Sequence, residues 1–64
     1  MLDYQKRVVA EKEELDVRVN ALSEFIGNNP LFLKADADEQ ERMKQQRETM
    51  RKLSEILGKR IQHF

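Results

Sequence analysis

Between two long amphipathic stretches, the sequence Gly27-Asn28-Asn29-Pro30 interrupts a pattern that would otherwise read as one continuous helix. Before it, apolar residues fall at Tyr4, Val8, Leu15, Val19, Leu22, Phe25 and Ile26, with charged residues between them. Spacings of three, four and seven put these side chains on one face of a helix. After the break, Met43, Met50, Leu53, Leu57, Ile61 and Phe64 repeat the pattern. Glycine can end a helix in the left-handed conformation, and a proline soon after blocks its continuation. Two helices with one apolar stripe each, joined by a short break, fold back on each other.

The expected elements are a helix over about 2–26, a helical turn over about 30–34 and a helix over about 37–63. Asn29 is placed to cap the short turn, with Pro30 at its first position. The three apolar residues Leu31, Phe32 and Leu33 are expected to close the open end of the hairpin. Asp36 followed by Glu39 is a capping-box pattern, and Asp38, Glu39 and Glu41 suit the positive end of the helix dipole. Gly58 is expected to weaken the third element by up to about 1 kcal/mol. An antiparallel register sets Tyr4 against Phe64, Leu15 against Leu53, Val19 against Met50 and Ile26 against Met43. It also sets Glu11 beside Leu57 and Leu22 beside Gln46, where Gln46 is either a buried polar specificity device or an edge residue.

Residues 1–64 are thus expected to form a single all-α domain, an antiparallel two-helix hairpin with a short helical turn in the connection. A chain of 64 residues is marginally stable without a disulfide, a metal or a partner. There is no cysteine and only one histidine, His63, so disulfides and multi-histidine sites are closed off. Val9, Val17 and Ile56 lie off the stripe, and with Leu31 to Leu33 they leave apolar surface that needs covering. Assembly as a homo-oligomer follows as the expectation.

Charge is heavy and balanced, 12 basic against 12 acidic residues, which argues against bulk electrostatic coating of a long nucleic acid. Locally the balance tips: Arg42, Lys44, Arg47, Arg51, Lys52, Lys59 and Arg60 face only Glu48 and Glu55 across that stretch. The stretch suits a small concentrated anion, or it is simply a solvated helix face. The sequence has no basic segment followed by an apolar run near its start and no stretch long enough to span a membrane, so a soluble cytoplasmic protein is expected.

No nucleophile, base and pocket combination stands out, and no cofactor or metal site is expected. Tyr4 either packs against Phe64 or offers a flat ring for stacking on a nucleobase. Arg7 and Arg60 approach each other near the termini, either pairing with acids such as Glu11 or forming a fork for phosphate. Arg18, Arg47 and Arg51 form a second group near mid-hairpin, which could instead be a salt-bridge lattice with Glu14, Asp16 and Glu48.

Two runs of residues carry a resemblance. The first is Arg7-Val8-Val9 with Glu11, Glu14-Leu15-Asp16, Leu22 and Phe25-Ile26. The second is Glu39-Gln40, Arg42-Met43, Gln46, Met50, Ser54, Ile56-Leu57, Arg60-Ile61 and Phe64. Together they resemble the helical-hairpin family of phage anti-CBASS and anti-Thoeris nucleotide sponges. The resemblance implies a non-enzymatic homo-hexamer that traps cyclic di- or trinucleotide second messengers in the host-cell cytoplasm and blocks anti-phage signalling. It implies that Tyr4 stacks on a base and Arg18 holds phosphate, with Arg60 serving a separate site on a threefold axis. Leu53 stands where that family suggests an aromatic residue, and Arg18 where it suggests lysine. Two other readings remain open from the sequence: a module that docks on a host protein through Val9, Val17 and Ile56, and a small nucleic-acid-binding phage protein using Arg42 to Arg60.

Overall fold

A computed structural model describes all 64 residues. It contains three helices and no strand: α1 (Asp3–Asn28), α2 (Pro30–Lys34) and α3 (Ala37–Gln62). The two long helices each have 26 residues and pack antiparallel as a hairpin 45 Å long and 15 Å wide.

The break works differently from expectation. α1 runs through Gly27 and Asn28, and no glycine takes a positive φ. The helix ends at Asn29, whose backbone is extended at φ −99° and ψ 120°. Pro30 forces this, because its ring disfavours helical geometry in the residue before it. Asn29 then caps α2, its Oδ1 accepting from the Leu31 N–H at 2.9 Å. α3 begins at Asp36, whose Oδ1 accepts from the Glu39 N–H at 2.8 Å. Only that half of the capping box forms, since the Glu39 carboxylate turns instead to Arg42 at 3.3 Å. At the other terminus, the Leu2 N–H donates to Gln5 Oε1 at 2.9 Å, relieving one of the unpaired groups of the helix start.

The seam is a heptad on both sides. On α1 the inward positions are Gln5, Val8, Lys12, Leu15, Val19, Leu22 and Ile26; on α3 they are Met43, Arg47, Met50, Ser54, Leu57 and Ile61, all buried or half-buried. Val8, Leu15, Val19 and Leu57 form the buried cluster, and Met50 and Ile61 pack against it. Leu57 is the most buried residue, 3 % exposed. The expected partnership of Leu15 with Leu53 is therefore corrected: Leu53 is exposed, and Ser54 takes the seam position. Glu11 and Gln46 likewise point to solvent. Lys12 takes the inward place that Glu11 was given beside Leu57.

Of the three apolar residues in α2, Phe32 alone turns inward, at 5 % exposed. Its ring meets Phe25 edge-on at 6.3 Å, and Lys44 Nζ sits 6.0 Å from its centroid. Leu31 and Leu33 remain outside. A five-residue helix has only one face toward the seam, so it can bury one large side chain and not three.

Candidate functional site

The expected site residues are distributed over two faces. Tyr4, Arg7 and Arg18 share one face of α1: positions three and fourteen residues after Tyr4 fall within about 60° of it around the axis. Along the axis, Arg18 is about 21 Å from Tyr4. One chain therefore gathers Tyr4, Arg7 and Arg60 at its terminal end but leaves Arg18 at mid-hairpin. Arg60 is on α3, on the face that also carries the exposed Leu53 and Ile56.

Tyr4 is half-exposed and its ring stands edge-on to Phe64, with centroids 5.9 Å apart and planes at 76°. The packing of Tyr4 against Phe64 expected from the register is present. An edge-to-face pair fixes the ring more firmly than its exposure alone would.

Of the arginines, Arg42 alone pairs with an acid; Arg7, Arg18, Arg47, Arg51 and Arg60 do not. The only ion pairs are Lys12 with Asp16 at 2.7 Å and Arg42 with Glu39 at 3.3 Å. Glu11 is four residues after Arg7, and Glu14 is four before Arg18, yet neither pair closes within 4.0 Å. The salt-bridge lattice proposed for Arg18, Arg47 and Arg51 does not form. Arg51 Nη2 instead donates to the Ser23 hydroxyl at 3.4 Å.

Sequence reasoning missed one polar cluster altogether. Lys12 Nζ donates to Asp16 Oδ2 at 2.7 Å and to Ser54 Oγ at 3.0 Å, and Ser54 Oγ donates to Asp16 Oδ1. These hydrogen bonds from Lys12 and Ser54 hold the Asp16 carboxyl below its ordinary proton affinity. Gly58 makes room for it: a Cβ there would come within 3.2 Å of Lys12 Cε. The signal was present as two polar residues, Lys12 and Ser54, at heptad positions of otherwise apolar seams.

No three histidines, cysteines or carboxylates gather where they could hold a metal ion, and no helix is long and apolar enough to cross a membrane. The larger surface depression lies between Ala21, Glu24, Phe25 and Pro30 at the tip, the end away from Tyr4.

The fold and this surface define a small helical hairpin that carries a half-exposed tyrosine ring and arginines without acidic partners on its exposed faces. Comparison with known proteins sharpens the class. The Sequestin family model matches residues 2–63, and the chain belongs to that family. It is 42 % identical to a 7.5 kDa protein of the denB-rIIB intergenic region of Enterobacteria phage T4, over all of this chain and 98 % of that protein. No solved structure matches.

Proposed function

We propose that the chain is a non-enzymatic sponge that binds cyclic di- or trinucleotides in the host-cell cytoplasm and withholds them from bacterial anti-phage signalling. The observation that carries this reading is the α1 face that bears the half-exposed Tyr4, Arg7 one turn on and Arg18 at mid-hairpin, with no acid closing on either arginine. A base stacks on the ring, and phosphates are held by the guanidinium forks. A family named for sequestration and a relative encoded by a phage support binding without turnover.

The reading requires more than one chain. Tyr4 and Arg18 of one copy are too far apart for a single small ligand, whereas an antiparallel second copy would set its Arg18 near the first copy's Tyr4. Val17 at 68 % exposed and Ile56 at 54 % exposed supply apolar surface for such contacts. A homo-hexamer would repeat these faces and bring Arg60 residues together around an axis.

Isothermal titration with a panel of cyclic di- and trinucleotides tests the reading, followed by recovery of the ligand from denatured protein. Tight binding with intact ligand returned is the expected result. Tyr4→Ala should weaken it about tenfold or more, since stacking contributes about 1–3 kcal/mol per base. Absence of binding across the panel would overturn the proposal.

A further inference from the structure

Lys44, Arg47 and Arg51 follow one another at spacings of three and four on α3, a row about 10 Å long. None has a carboxylate within 4.0 Å. Glu48 stands four residues after Lys44 and three before Arg51 but closes on neither, and it is turned about 100° around the axis from Arg47. On α1, the acid on the same flank is Asp16, already engaged by Lys12 and Ser54. Glu24 accepts from Asn28 Nδ2 at 2.8 Å and pairs with none of the three cations.

The row is also partly fixed in place. Arg47 occupies a seam position, half-buried with Met43 and Met50 on either side, which restrains its side chain. Arg51 is steadied by the Ser23 hydroxyl, and Lys44 by the face of Phe32. Like charges at such spacings repel by a few tenths of a kcal/mol per pair. A bound anion would remove that cost.

We propose that Lys44, Arg47 and Arg51 form a second anion-binding surface, separate from the Tyr4 end, for a compact ligand bearing several phosphates. It reads phosphates and not bases. The ring in this region, Phe32, is buried and covered by Lys44, so it has no face for stacking. Binding here is set by phosphate number and by salt, in contrast to the aromatic end.

The test is titration of the full chain with inorganic tripolyphosphate at low and high salt. This probe has no base, so its outcome stands apart from that of the cyclic-nucleotide panel. The wild type should bind, and more weakly as salt rises. Lys44→Gln with Arg51→Gln should weaken binding at least about tenfold, given the worth of charge-assisted hydrogen bonds. Both heads are exposed, so circular dichroism should show unchanged helix content. Arg47→Gln, tested separately, should weaken binding in the same direction. A wild type that does not bind tripolyphosphate, or variants that retain its affinity, would overturn the proposal.

Discussion

The two halves of the hairpin are held by different means. From the terminal end to just past the middle, Val8, Leu15, Val19 and Leu57 close into a continuous buried cluster, with the Tyr4–Phe64 ring pair beyond it. Toward the tip, Phe32 is the single buried side chain, and the seam carries the half-buried Arg47 with Met43 and Met50 on either side. Caps do more of the work there: Asn29 starts α2, Asp36 starts α3, and Gln40 Nε2 donates to the Ala35 carbonyl at 2.9 Å. The lesson is that one half is specified by packing and the other by local hydrogen bonds around a proline. The Lys12–Asp16–Ser54 cluster lies within the packed half, where a polar group can pair only in one register.

Leu57→Ala tests this contrast most severely. It should cost about 3–4 kcal/mol, as large-to-small changes in a tight cluster do, and a chain this small would lose most of its folded population. Denaturant midpoints measure it. Phe32→Ala should cost less, about 2 kcal/mol, because the space it leaves opens to solvent at the tip. Hydrogen exchange should then quicken in α2 while the amides around Val8 and Leu15 stay protected. If the two substitutions cost the same, the halves are not distinct. Asp36→Ala removes a helix cap and should cost about 1 kcal/mol by thermal or urea unfolding.

A smaller effect separates the glycines. Gly27→Ala meets nothing within 4 Å and should stabilise α1 by about 0.5 kcal/mol, limited by its place near the helix end. Gly58→Ala has the same propensity gain but crowds Lys12, and should stabilise less. The slightest effect is that of pH. The folded Asp16 carboxyl is held below its ordinary value of 3.8, so its contribution is complete above that value and fades as pH falls through the folded one. The melting temperature of the wild type should fall over that acid window more than that of Asp16→Asn. Equal acid slopes would show that the cluster does not couple to folding.

Much of the fold was legible because its controlling signals are local. The stripe from Val8 to Val19, the proline after Asn29 and the acidic start of α3 are each read within a few residues. Register was not so legible. The sequence offers both Leu53 and Leu57 as partners for α1, and the register in which Leu57 turns inward is the one where Ser54 accepts from Lys12 and donates to Asp16. Gly58 looked like a defect because its neighbour, Lys12, is 46 positions away in the chain. The face shared by Tyr4, Arg7 and Arg18 follows from helical spacing, but their freedom from acids does not. Glu11 and Glu14 stand at pairing distance in sequence, and only side-chain positions reveal that they leave the arginines alone.

Two helices of equal length joined by a minimal connection bring the first and last residues side by side, as the contact of Tyr4 with Phe64 records. Anything attached to either end of this polypeptide is therefore delivered to the same place, next to the open ring. A purification tag or a fused reporter at the amino or carboxyl end would crowd the proposed nucleotide surface equally. The connection at Asn28-Asn29-Pro30 offers the opposite address, a whole helix length away. A label inserted there would report on the molecule while leaving that surface clear.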